Sequence, residues 1–321
     1  GGGSSGNPNN NSGADGGSGG GDVAVSASAD LWAALNAARS GAGAGALVQD
    51  ARIDSAAAAH ASYLAANNLS SHEEVVGQPG FYEATPAARL AKAGFTVAGA
   101  GEAIDGVAEA IASVAATERG RDCARRLLGS VYHAVLLLSE ETHAGVGVAD
   151  NAAAASKVCV IDLSIPAPKE IGQLPASGQI VMYPYAGQTG VLTTFQVGNE
   201  TPRPPAALLP NPTAGHPVVV SLRNADWPAL AQDYTLDPIV TRFELKDADG
   251  NLVPSVILSS VAQGGPGVTL HQDPQLPYDG FVVLVPSAPL AAGKTYTAAF
   301  EATLKSGATP LVRSVSFTTA P

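Results

Sequence analysis

The spacing of apolar positions divides the chain into two stretches of different period. From residue 23 to about 140 the period is helical. Leu31, Trp32, Leu35 and Ala38 fall on one face of a helix that Asp30 can cap and that ends at Ser40-Gly41. Ile53, Ala57, His60 and Leu64 predict a second helix from Asp54 to Asn67-Asn68. Thr85-Pro86 predicts a third, running to Gly94: Thr caps, and proline at the first helical position lacks only an N–H that would be unpaired anyway. A fourth helix is expected over roughly 105–115 and a fifth from near Asp122 through Leu138. The pattern then turns β-like at Gly145–Val148 and Val158–Leu163, with Asn151 and its alanines in the turn between. Helices plus a small antiparallel sheet predict an α+β layered domain over 23–165.

Pro166, Pro168, Gly172 and Pro175 mark a linker over 166–178, beyond which the helical signal disappears. Nine short β-rich runs follow, from Gln179–Tyr183 to Val312–Thr318, with turn residues between them. They predict an all-β sandwich over 179–321. Asp247-Ala248-Asp249-Gly250-Asn251 has the look of a calcium loop but lacks the downstream ligands, and Asp-Gly between two strands reads as a hairpin turn. Two domains fit a length of 321 residues, and 45% hydrophobic content can fill two cores.

Charge narrows the partners. The formal net charge of −11 argues against nucleic acid or an anionic membrane as the main one, since both reward clustered cations. Arg119, Arg121, Arg125 and Arg126 are a local exception, read as a solvated helix face or an anion contact. No run approaches the ~18 apolar residues a membrane helix needs. Residues 1–22 are almost all Gly, Ser and Asn and bury too little to offset ordering entropy, so they form a flexible tether. The chain begins without an initiator Met or a signal segment, as expected of a trimmed export product. The tether is similar to the segment after the lipidated Cys of bacterial lipoproteins, with an engineered linker or an ordinary disordered tail as the alternative. Cys123 and Cys159 read as a disulfide in an exported chain, with two buried thiols as the alternative. The bridge would stabilise the fold by roughly 4 kcal/mol on the chain-entropy estimate.

Four segments then fall in a familiar order: the opening helices from Leu35 to Asn68, the His72 loop with its Thr-Pro-capped helix, Gly101-Glu102-Ala103-Ile104, and the Ser130–Ala149 stretch with His133. Together they resemble the CAP superfamily of cysteine-rich secretory, venom-antigen and pathogenesis-related proteins, in its bacterial form. The ending, Leu290 to Pro321, is similar to the last strands of bacterial immunoglobulin-like domains. The resemblance implies an α-β-α layered domain followed by an immunoglobulin-like sandwich, in a protein exported to the bacterial envelope, periplasm or medium and anchored, if the tether was lipidated, at a removed Cys. It also implies a cavity lined by His72, Glu102 and His133.

Two imidazoles and a carboxylate in one cleft can hold zinc with an open position or share protons near neutral pH. Val131 and Ala134 stand where bacterial relatives often carry Glu and Arg, so the resemblance implies at most weak zinc binding, through His72 and His133. Glu73 or Glu74 is the alternative carboxylate. His60 reads as a core histidine, and His143, His216 and His271 as surface residues. The function implied is non-enzymatic binding of a lipid, peptide or extracellular protein. A metal-assisted hydrolase of peptide or cell-wall material and a structural or adhesive surface protein are the alternatives. No His-Glu-x-x-His occurs, and Gly-x-Ser-x-Gly occurs only in the Gly/Ser tether, where it makes no nucleophile elbow, so neither pattern supports the hydrolase.

Overall fold

The computed structural model describes residues 25–98, 106–168, 174–227, 238–304 and 310–321. The tether, the core of the linker and Glu102 lie outside them. The first half contains α1 (Ala27–Ala42), β1 (Val48–Gln49), α2 (Ala51–Asn67), α3 (Pro86–Lys92), β2 (Val107–Ala115), α4 (Gly120–Leu128), α5 (Val131–Leu137), β3 (His143–Asn151) and β4 (Ser156–Ser164).

Both opening helices start a turn earlier than their sequence predicts. Ser26 caps α1, its Oγ accepting the Ala29 N–H, and Asp50 caps α2 by accepting from Arg52. The acids expected at those caps serve tertiary contacts. Asp30 accepts from the Arg121 guanidinium and backbone, and Asp54 from the Val146 N–H of β3 at 2.9 Å. The Thr85-Pro86 start holds for α3. The fourth expected helix is instead β2, a correction with a clear cause. Its alanines favour helix locally, but alternate residues are wanted on two different faces of a sheet, and packing overrides propensity. The fifth breaks at Gly129-Ser130 into α4 and α5.

The strands form one sheet in the order β1-β3-β4-β2. β3, β4 and β2 are antiparallel neighbours, whereas the short β1 runs parallel to β3. One face carries Ala108, Ala110, Ala112 and Val114 of β2 into a core with α1, α4 and α5. The other packs on α2 and α3. Helix α2 lies directly on β3, which explains the Gly-Val-Gly pattern. A Cβ on Gly145 would stand 2.1 Å from the Asp54 nitrogen, and one on Gly147 2.3 Å from that of Ala58.

Cys123 of α4 and Cys159 of β4 are joined by a disulfide and fully buried. Alkylation of the unfolded, unreduced protein should therefore label no thiol; two labelled thiols per chain would contradict the bridge.

The second half contains β5 (Val181–Tyr183), β6 (Thr194–Gln196), β7 (Thr213–Gly215), β8 (Val218–Ser221), β9 (Ile239–Lys246), β10 (Ser255–Ser259), β11 (Gln263–Gly264), β12 (His271–Gln272), β13 (Phe281–Pro286), β14 (Thr295–Thr303) and β15 (Leu311–Thr318). Two larger sheets, β12-β10-β13-β8-β5 and β11-β9-β14-β15, enclose a core of Val218, Val220, Val282 and Leu284 against Phe243, Leu245, Phe300 and Phe317. Strands β6 and β7 make a separate pair. The Asp247–Asn251 segment is a turn, its Asp247 carboxylate accepting the Asp249 and Asn251 N–H groups. No described helix is long and apolar enough to cross a membrane.

The halves share a core. Leu31, Leu35, Leu127 and Val135 cluster with Tyr183, Phe195, Val219, Phe281 and Val283. The five-stranded sheet is thus covered on both faces, by the second sheet and by the first half's helices. Polar contacts cross the same boundary: the buried Tyr132 Oη to Asp273 at 2.7 Å and Tyr278 Oη to Glu141, and the half-buried Arg223–Glu140 ion pair. His216, expected on the surface, is only 1% exposed beside Tyr183. Burial pushes its pKa down to about 4, so the ring is neutral and Nδ1–H donates to the Pro217 carbonyl.

Candidate functional site

The loop after α2, helix α3 and the sheet bring six ionisable side chains together. His60, on α2, is buried as expected, but it is not an isolated core histidine. Its Nε2 lies 2.8 Å from the Ser71 carbonyl and its Nδ1 2.8 Å from Glu74 Oε1. An oxygen thus faces each ring nitrogen. His72 Nδ1 meets Glu109 Oε1 at 2.8 Å. Arg89, fully buried, donates from Nη2 to Glu109 Oε2 at 2.9 Å and to the His72 carbonyl at 2.9 Å. The sixth member, Asp162, sits across from Glu109 in the β2–β4 register.

Asp162 is fully buried, and neither of its oxygens accepts a hydrogen bond from a described N–H or O–H. Its carboxyl neighbour is Glu109, and two carboxylates cannot bond each other without a proton. Burial and the Glu109 charge push the Asp162 pKa well up, so Asp162 keeps that proton and donates it. Burial alone would raise Glu109 too. Hydrogen bonds from His72 and Asp162, with the charges of Arg89 and His60, hold it down at about 2. The result is a buried carboxylate supported on several sides, with one partly open member: the His72 side chain is 41% exposed.

A groove of about 580 Å³ runs beside this cluster. Ile111 and Ser113 of β2 form one wall, Ser130 and His133 a second, and Thr194, Phe195 and Glu200 from the other half a third. His133 Nδ1 lies 3.1 Å from Ser130 Oγ and 3.4 Å from Glu200 Oε1. The Ser130 hydroxyl donates to the Leu127 carbonyl, so it accepts from Nδ1–H. In the neutral ring this leaves Nε2 as a lone pair with no partner among the described residues. Glu200 meanwhile accepts the Val131, Tyr132 and His133 N–H groups, capping α5 from the other half of the chain.

Of the expected cavity residues, His133 lines the groove. His72 is not among its walls, although Ser70, two residues earlier, is. Glu102 falls outside the described residues. The carboxylate that meets His72 is Glu109, which sequence reasoning passed over. A signal was present: Glu-Ala-Ile occurs at 102–104 and again at 109–111. Glu74, the alternative carboxylate, pairs with His60. Among the described residues no group of three or more His, Cys, Asp or Glu side chains is arranged to hold a metal ion. A zinc site needs three or four such ligands, and the carboxylate expected beside His72 and His133, Glu102, lies outside the described residues.

Residues 32–162 match the model of the cysteine-rich secretory protein family, CAP. The match runs from Trp32 in α1 to Asp162 in β4, so it holds both cysteines, the buried acid cluster and His133 but none of the second half. No curated protein matches the chain.

Proposed function

We propose, taking residues 32–162 as a CAP domain, that this is an exported binding protein without catalytic activity of its own, whose groove between the two halves takes a lipid, peptide or protein ligand. The observation that carries the reading is the groove itself: a cavity in the usual size range for ligand sites, lined by hydroxyl, amide and imidazole groups over an apolar floor.

The resemblance to a Ser-His-Glu relay does not favour catalysis. Ser130 and Glu200 both approach Nδ1 of His133, whereas a relay needs the acid on one ring nitrogen and the nucleophile on the other. The buried disulfide supports export, because such bridges persist in oxidising compartments.

Native mass spectrometry of the full chain, purified from its natural source, tests the reading. A bound small-molecule or peptide mass is expected, and His133→Trp, which fills the groove, should remove it without changing the circular dichroism spectrum. Adducts that persist in the folded variant would place the ligand elsewhere. Hydrolysis of model peptides or esters that depends on His133 would replace binding with catalysis.

A further inference from the structure

β2 is an edge strand: it pairs with β4 and has no neighbour on its other side among the described residues. Two contacts establish which backbone groups point to that open side. The Ser113 carbonyl accepts from Arg126 Nη1 at 2.8 Å, and the Ala115 N–H donates to Glu118 Oε2 at 2.6 Å. In an antiparallel ladder the N–H and C=O of one residue point the same way and alternate along the strand. Ile111, Ser113 and Ala115 therefore face outward, while Ala110, Ala112 and Val114 bond to β4. The Ile111 N–H, the Ile111 C=O and the Ser113 N–H have no hydrogen-bond partner among the described residues.

These unpaired groups open into the groove, which Ile111, Ala112 and Ser113 line together. The opposite wall is also a strand with a free side. Among the described residues β6 pairs only with β7, and Thr194, Phe195 and Gln196 line the groove. Arg126 and Glu118 close the edge at its Ala115 end, and the groove lies along the open stretch at Ile111 and Ser113. Natural edge strands are usually blunted by charge, proline or a covering element. Here the charged residues stop short of Ile111.

We propose that the open edge of β2 at Ile111 and Ser113 binds an extended peptide segment of another protein by strand addition, with β6 as the facing wall. This rests on the groove being a ligand site. The partner segment is free of proline where it must donate to Ile111, spans about three residues at ~3.3 Å each along the edge, and has small polar side chains suited to Ser113, Thr194 and Asn199. Acidic segments are disfavoured by Glu200 and by the chain's net charge of −11. A hydroxyl or amide donor at the position opposite α5 meets the free Nε2 of His133.

The test uses the full chain and an immobilised library of blocked random hexapeptides, with the best binder carried into a fluorescence titration. Each peptide amide is then N-methylated in turn. Strand addition predicts that alternate positions lose affinity by about tenfold, the effect of a lost main-chain hydrogen bond, while the intervening ones do not. Ser113→Pro removes an outward N–H without touching the β4 ladder, a position where edge strands tolerate proline. It should weaken binding to a similar degree, and by more than Ser113→Ala, which keeps the outward N–H. N-methylation tolerated at every position, or no hexapeptide bound, would overturn the proposal without depending on the folding of any variant. If no hexapeptide binds but a co-purified adduct still disappears in His133→Trp, the groove stands as a binding site and strand addition is wrong. If neither is seen, both readings fail.

Discussion

Replacing Asp162 by asparagine is expected to raise the thermal midpoint at neutral pH and leave it nearly unchanged near pH 4. In the folded chain Asp162 keeps its proton, because burial and Glu109 push its pKa well up against the opposing charge of Arg89. Unfolded, it titrates near its ordinary value of about 3.9. Between that value and the raised folded one, the native state binds the extra proton, so stability falls as pH rises. The loss is about 1.4 kcal/mol per pH unit across the window.

Asparagine has no proton to lose and offers an N–H to Glu109, so it removes this slope. Glu109 acts in the opposite sense. Held down at about 2, it contributes stability above its ordinary value that is lost as pH falls toward 2. The other ionisable groups of the cluster, Arg89 of α3, His60 of α2, Glu74 and His72, remain in place in the variant. Calorimetry at pH 4, 5, 6 and 7 decides the matter. A variant less stable at pH 7, or one keeping the wild-type slope, would mean that Asp162 is ionised in the fold.

Arg39→Met should destabilise the protein by about 4–5 kcal/mol, as expected when one partner of a buried charged network is removed. Arg39 has no exposed surface, and its guanidinium donates to four carbonyls: Leu137 and Ser139 at 2.8 Å, Ala44 and Gly45 at 3.0 Å. It thereby ties the end of α1 to the end of α5. Burial lowers its pKa to about 10, countered by the nearby Glu141, so it stays charged at neutral pH. Methionine matches the stem but takes the donor away from four acceptors, three of them in buried contacts. In a chain of this size the shift in thermal midpoint is about 6–8 °C. A drop of only a degree or two would show that water replaces the guanidinium.

Local signals located most elements of the first half, because caps, breakers and apolar spacing act within a few residues. They failed where distant partners decide. The alanine-rich composition of β2 favours helix, yet β4 and the helices on either face make Val107–Ala115 a strand. The same misreading hid Glu109: on a helix it had no special neighbour, whereas on β2 it lies beside His72 and Asp162. Asp162 itself was visible as the one acid in the apolar run Val158–Leu163, a position where burial must be answered by a proton or a partner. In the second half, alternation correctly signals β14 and β15, which keep one face to solvent. The unbroken runs Val218–Val220 and Phe281–Val285 carry a different message. Strands apolar at every position are covered on both sides.

That double cover bears on how such a chain can be rearranged. Along β13, Phe281, Val283 and Val285 answer to the helices of the first half, and Val282 and Leu284 to the second sheet. Neighbouring residues of one strand are thus held by two different constraints, leaving no position free to drift toward polarity. The first half is equally bound to its partner, since Glu200 caps α5 and Phe195 closes its core. Neither half is a cassette. Recombination that moved the CAP-matching segment onto another scaffold would carry a bare apolar plane and an uncapped helix, and the groove would lose a wall. Shuffling of this architecture is confined to crossovers outside the pair, and the groove is inherited only with both halves together.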